Sequence, residues 1–329
     1  MTIPANFKPM KGDAAQIEDI QFPCYASPKL DGVRCIIFGG VAYSAKMEPH
    51  KNLFVQKWAK YHAEALEGLD GEITVGPAND PDVFTRTAGR LNSPDGEPDF
   101  TLHVFDIVDT TRLYSARVDK LGWLELIDGT LPERVLTVQV FPFEDRTELE
   151  RYVSSCVQAG YEGTMVRSPS GPYKFGRSTV KEGYLLKIKK FIDNEAEIIG
   201  VVEEMRNTNK AEKDALGRTK RSSAKAGKVG KGTLGKFLCR GLNGQFKGVK
   251  FSVGTGTLTK DQKRVLWLWF QKKMLLTHHI ECPPGINPDM PLKDQVECIT
   301  YTHMEHNAGY SKPRHAGFMR FRPRWDIGD

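Results

Sequence analysis

Between residues 205 and 235 the chain loses all apolar periodicity and becomes rich in glycine, serine and lysine. Such a stretch has no face to bury, so it reads as an insertion within the second part of the chain, which begins at about Glu195. The charge is concentrated there too. Residues 205–250 carry 13 Lys and Arg against Glu212 and Asp214, which is +11 in 46 residues. The other 283 residues are left with −5, in a chain whose net charge is +6. Charge gathered in this way points to a polyanionic partner, most often nucleic acid. The plainer reading is a solvated tether. A length of 329 residues suits two domains.

Before the basic segment, short strands alternate with helices. Val33–Phe38, Thr101–Val108, Gly163–Arg167 and Leu185–Ile192 read as strands, from their β-branched and aromatic content. Residues 50–67 place Phe54, Trp58, Tyr61 and Ala65 at spacings of 4, 3 and 4, which predicts a helix stopped by Gly68. Glu148–Gln158 repeats the pattern and ends at Gly160. After about Glu195 the strands are Ile198–Glu203, Val249–Val253 and Phe318–Phe321, with one helix from Thr259 opened by a capping box with Gln262. Several short strands around one helix fit a small β-barrel of the OB type. Gly230 to Gly235 matches a G-x-G-x-x-G pattern. A lysine-rich coil is expected before it, and Phe237 stands where a P-loop needs a hydroxyl, so it reads as chance.

The longest apolar run, Val265–Phe270, is six residues, too short to span a membrane. The first twenty residues lack the apolar core of a secretory signal. Six cysteines lie far apart with no C-x-x-C, so neither a zinc site nor a disulfide framework is expected, and the cytoplasm is the default compartment.

The string that carries chemistry is Ser27-Pro28-Lys29-Leu30-Asp31-Gly32-Val33-Arg34, a K-x-D-G-x-R pattern. A tight Asp-Gly turn fixes the lysine stem, and Pro28 stiffens the approach. A lysine held among other cations can serve as an amine nucleophile. The alternative is a surface hairpin with a solvated lysine. Four further strings come after it in order. They are Leu69-Asp70-Gly71-Glu72, Val104-Phe105-Asp106, Glu162-Gly163-Thr164-Met165-Val166-Arg167 and Leu186-Lys187-Ile188-Lys189. Lys187 and Lys189 alternate on a strand and so share a face. Glu72 and Glu162 are carboxylates of the kind Mg²⁺ takes beside phosphate oxygens. Phe105 offers a π-face to a base.

Together these strings resemble the signature motifs of the covalent nucleotidyltransferases: DNA ligases, RNA ligases and mRNA capping enzymes. Three further stretches favour DNA ligase, and the small viral ATP-dependent ligases in particular. Phe251-Ser252-Val253-Gly254-Thr255-Gly256 resembles a stretch of ligase OB domains. Tyr173-Lys174-Phe175-Gly176-Arg177-Ser178 resembles a segment of the minimal ligases. The run Lys220 to Lys228 resembles their latch, a hairpin that closes around duplex DNA. Only 28 residues precede Lys29, so no separate amino-terminal DNA-binding domain is expected, and the NAD-dependent class is set aside.

The resemblance implies an α+β chain. Residues 1–192 would form an adenylation domain of antiparallel sheets with flanking helices, and 193–329 an OB-fold barrel with a latch-like insertion at about 205–235. It implies a monomer that seals nicks in duplex DNA with ATP and Mg²⁺ or Mn²⁺, through lysyl-AMP on Lys29. Asp31 and Asp70 would shape their turns and assist metal or amine. Ser27 would lie near the adenine, Glu72 on the ribose and Phe105 on the purine. Lys187 and Lys189 would reach the α-phosphate, and Glu162, with Glu72, would hold metal. Arg34 and Arg177 would contact the nick 5′-phosphate, and Lys220, Arg221, Lys225 and Lys228 the DNA backbone. Two departures stand out. Ser44-Ala45-Lys46 replaces the usual Ser-Arg, which shifts a phosphate contact to Lys46. In the carboxy-terminal motif Arg322 is the best match, but Pro323, Arg324 and Trp325 beyond it depart from the pattern. Residues 275–310 exceed what the minimal ligases lead one to expect. RNA ligase, capping-type guanylyltransferase and a non-catalytic nucleic-acid-binding module are the alternatives.

Overall fold

The structure, a computed structural model, describes residues 3–126, 131–271, 283–286, 295–304 and 310–327. Much of the 275–310 stretch, and Cys282, lie outside these. The chain divides into two compact units, Met1–Lys189 with Lys213–Arg218, and Lys190–Glu212 with Thr219–Asp329. No helix among the described residues is long and apolar enough to cross a membrane.

The first unit holds strands β1 (Lys11–Ala14), β2 (Cys24–Pro28), β3 (Val33–Phe38), β4 (Val41–Tyr43), β5 (Leu69–Val75), β6 (Phe100–Ile107), β7 (Val135–Thr137), β8 (Phe141–Phe143), β9 (Thr164–Arg167), β10 (Arg177–Ser178) and β11 (Leu185–Ile188). Helices α1 (Leu53–Tyr61), α2 (Ala63–Leu66), α3 (Val83–Asn92), α4 (Tyr114–Leu126) and α5 (Arg146–Gln158) flank them. One sheet has five strands in the order β4-β3-β5-β6-β7, the other six in the order β10-β1-β11-β9-β2-β8. The expectation of purely antiparallel sheets needs correcting. Strand β1 runs parallel to both β10 and β11, and β7 runs parallel to β6. The cause is topological: β1 enters the sheet between strands that come about 165–175 residues later, so no hairpin sets its direction.

The helix expected over 50–67 is two. Asn52 caps α1 by accepting a hydrogen bond from the Val55 N–H at 3.0 Å, and His62, at φ −100° and ψ 23°, interrupts it. Gly68, at φ +75°, then turns the chain into β5. Val55, Trp58 and Ala59 carry the apolar face of α1 into a core with Ile37, Ile73, Phe100 and Leu102. Leu149 and Val153 of α5 pack with Ala26, Val166 and Leu186. A third cluster joins Ile36 and Phe38 of β3 to Met10, Tyr173 and Leu185, so here residues of the two sheets meet.

The second unit holds β12 (Phe191–Asn207), β15 (Lys228–Gly241), β16 (Lys250–Gly254), β17 (Cys298–Met304) and β18 (Gly317–Arg322), with α6 (Lys260–Phe270). The five strands close on themselves in the order β12-β15-β16-β18-β17, around Leu234, Phe237, Phe251, Tyr301 and Phe318. Between β12 and β15 lies a two-stranded hairpin of β13 (Ala211–Lys213) and β14 (Thr219–Arg221). The stretch Leu185–Ile192 is thus two strands, β11 and the start of β12. The stretch Ile198–Glu203 is the middle of a 17-residue strand. Register shifts near Ile198, Val202 and Glu203 break its two-residue alternation, which hid its length. The coil expected before Gly230 is also corrected. Lys228–Gly230 pairs with Met205–Asn207 as part of β15. The capping box on α6 is present, with Thr259 Oγ1 accepting from the Gln262 N–H and Gln262 Oε1 from the Thr259 N–H.

Candidate active site

A cavity of about 290 Å³ opens in the first unit, lined from both sheets. Ser27, Pro28 and Lys29 come from β2 and the residue after it, Lys11 and Gly12 from β1, and Leu185 and Lys187 from β11. Arg34, Glu72 and Phe105 come from β3, β5 and β6.

Two backbone bonds tie Lys29 in place. Its N–H donates to Gly163 O at 2.8 Å, and the Glu162 N–H donates to Lys29 O at 3.2 Å. The turn that makes them depends on Gly163, at φ +152°, where a Cβ would lie 2.3 Å from Ile188 O. Gly32 is required for a similar reason, since a Cβ there would lie 2.3 Å from Ile73 O of β5. The Lys29 ammonium pairs with Glu162, which also accepts from Lys189. Glu162 is nearly buried, with 6% of its side chain exposed, whereas Lys29 keeps 22% open to the cavity. Burial holds the Lys187 ammonium below its usual pKa, with Lys189, Lys29 and Arg177 pushing the same way and Glu162 opposing. Burial raises the Glu72 carboxyl to about 7, against the pull of Lys29 and Arg34.

Arg34 reaches the cavity as a fixed plane. It donates through Nε and Nη2 to Asp70 and through Nη2 to Met10 O at 3.2 Å. Its guanidinium lies 4.7 Å from the centre of the Phe105 ring. Asp70 is fully buried and also accepts from Tyr173 Oη at 2.6 Å. It does not line the cavity; it holds Arg34, which does. Asp31, in the turn from β2 to β3, does not line the cavity either. Below Phe105, Asp106 binds both Arg167 and Arg117, the latter 1% exposed.

The other expected residues are more scattered. Arg177 lines the cavity and pairs with Asp13 at 3.0 Å. Lys46 is exposed on the turn after β4. Arg322, in the second unit, pairs with Glu195 at 3.1 Å. Lys220, Arg221, Lys225 and Lys228 are all exposed. Sequence reasoning missed Lys11 in the cavity and the holding pairs Asp70–Tyr173 and Asp106–Arg117. No local pattern signals them, because each joins residues whose neighbourhood only the fold creates.

No protein-family model matches the chain, and no curated protein matches it in sequence. Solved structures do. The Chlorella virus DNA ligase-adenylate is 27% identical over 97% of this chain and 99% of its own, with a TM-score of 0.51. A second structure of that ligase-adenylate gives 26%, 96%, 99% and 0.50. A Lig E DNA ligase is 20% identical over 96% and 99%, with a TM-score of 0.64. The fold, with its lysine-bearing cavity, is therefore that of nucleotidyltransferases of the ligase type. Within that class, the chain resembles the minimal DNA ligases along nearly its whole length.

Proposed function

We propose that the protein is an ATP-dependent DNA ligase, which seals 5′-phosphate/3′-hydroxyl nicks in duplex DNA. The observation that carries this reading is Lys29. It is a lysine tethered by its backbone to the Glu162–Gly163 turn, open to a cavity of about 290 Å³, in a fold shared with a ligase-adenylate.

In the first step Lys29 Nζ, as the neutral amine, attacks the α-phosphorus of ATP. A P–N bond forms, and the P–O bond to pyrophosphate breaks. Lys187 faces the same cavity and offsets α-phosphate charge, which is the main demand of phosphoryl and nucleotidyl transfer. Ser27, Glu72 and Phe105 provide contacts for the nucleoside: a hydroxyl, a carboxylate for ribose and an aromatic face for the base. In the second step a 5′-phosphate oxygen of the nick displaces Lys29 and takes the AMP. In the third the 3′-hydroxyl attacks that phosphate, AMP leaves, and the strand is closed. Arg34 and Arg177 serve the nick phosphate, and Arg34 is held for it by Asp70. Glu162 and Glu72 suit Mg²⁺, which takes one or two carboxylates together with phosphate oxygens. Bound there, the ion would supply charge neutralisation.

We read the first unit as the adenylation domain and the second as an OB-type domain. Its basic hairpin, which carries Lys220 and Arg221 on β14, and Lys225 and Lys228 after it serve the DNA backbone as a latch. The test is incubation with α-labelled ATP or GTP and Mg²⁺, followed by a denaturing gel. Covalent label from ATP, lost in Lys29→Ala, is the expected result. Label from GTP alone would move the protein to the capping-type enzymes.

A further inference from the structure

We propose that Lys11, on β1, completes a second anion subsite in the cavity. That subsite holds the pyrophosphate part of ATP while Lys29 is adenylylated, then the 5′-phosphate of the DNA strand during AMP transfer. The inference rests on the ligase reading above.

Lys11 lines the cavity and lies opposite Arg177 in the sheet. The strand order β10-β1-β11-β9-β2 sets β1 three strands from β2, which leads into Lys29. At the spacing of paired strands that is about 14 Å. The cations accordingly fall into two groups. Lys29 and Lys189 share Glu162, with Lys187 beside them. Lys11 instead stands among Arg218, Arg34, Arg177 and Lys46, whose charges, after burial, hold its pKa down. Arg177 acts on both Lys11 and Lys187, so it links the two groups.

Within the second group the arginines of the cavity are already matched, Arg34 by Asp70 and Arg177 by Asp13. The Lys11 ammonium makes no ion pair or hydrogen bond among the described residues. A partly buried cation among like charges gains most from an incoming anion.

In-line chemistry says which anion. When Lys29 attacks the α-phosphorus, pyrophosphate leaves on the side away from Lys29. When the DNA phosphate attacks the same phosphorus, Lys29 is the leaving group, so the DNA phosphate enters on that same side. Two different anions therefore pass through one region of the cavity at successive steps. Of the cations in the second group that line the cavity, Lys11 is the one without an acidic partner among the described residues.

The experiment uses Lys11→Met, which keeps the stem without the charge, and Lys11→Arg, which keeps the charge. One arm measures the pyrophosphate concentration needed to discharge AMP from the adenylylated protein. The other compares affinity for nicks bearing a 5′-phosphate with affinity for nicks bearing a 5′-hydroxyl. Loss of one charge-assisted contact should weaken the first, and shrink the second preference, by about tenfold in Lys11→Met, with recovery in Lys11→Arg. Melting temperatures near the wild-type value show that both variants fold. No change in either arm, or a change in only one, overturns the shared subsite. If the wild type itself takes no label from ATP, the ligase reading has failed. If the wild type labels and Lys11→Met matches it in both arms, only this inference falls.

Discussion

Lys29 sits where two demands meet: its backbone is bonded to the Glu162–Gly163 turn, and its amine faces the cavity. Lys29→Ala should abolish covalent labelling by ATP yet keep part of the sealing of a nick that already carries 5′-AMP, because the lysine has then finished its work. Lys29→Arg should fail at labelling too, since guanidinium stays protonated. A gel for protein label and a single-turnover sealing assay check both. Glu72 gives a pH signature. Its carboxyl is raised from about 4.5 to about 7, chiefly by burial. The folded protein thus keeps a proton that the unfolded chain gives up. The stability this contributes is complete below about pH 4.5 and lost as pH rises through 7. Denaturant unfolding at pH 5 and pH 8 should show a loss on the order of 2 kcal/mol that is absent from Glu72→Gln. At this scale the placing of Lys29, Arg34 and Lys187 at one cavity was legible, because each stands in a local pattern, while their roles belong to the proposed function. The task of Asp70 was not legible. It depends on Tyr173, 103 residues away, and on Arg34 from another strand.

Elements with a single clear period were readable, and those with mixed patterns were not. Helix α5 follows its apolar spacing, and α6 opens on the capping box written in Thr259 and Gln262. Thr259→Ala should cost about 1 kcal/mol of stability, read as a lower melting temperature with the site's activity unchanged. Strand β12 was legible only in its middle, because its bulges shift which face each residue takes. β1 was missed, being four residues with no apolar run and partners about 165–175 residues downstream. The basic segment showed its charge but not its structure, since β14 is exposed at every position and so has no burial pattern. Replacing Lys220, Arg221, Lys225 and Lys228 by alanine should weaken nick binding while sparing lysyl-AMP formation. If all four neutralise phosphates, the slope of log affinity against log salt should flatten by about 3 to 4. An unchanged slope would return the segment to a solvated tether.

Across the whole molecule, the length and a change of pattern after about residue 192 suggested two parts, whereas the boundary was not sharp. A strand read as Leu185–Ile192 is divided between the units at Lys189 and Lys190, with β11 in one sheet and β12 in the other. Both pieces are apolar and short, so nothing in their composition marks the change. The proposed sequence of steps passes one phosphorus from ATP to Lys29 to DNA. It is tested most directly by following that phosphorus. The protein is labelled with α-labelled ATP, freed of nucleotide, and mixed with excess nicked duplex and Mg²⁺ without ATP. The label should leave the protein and appear as free AMP in step with one sealed strand per labelled molecule. Label that stays on the protein, or that leaves without a sealed strand, would contradict the account.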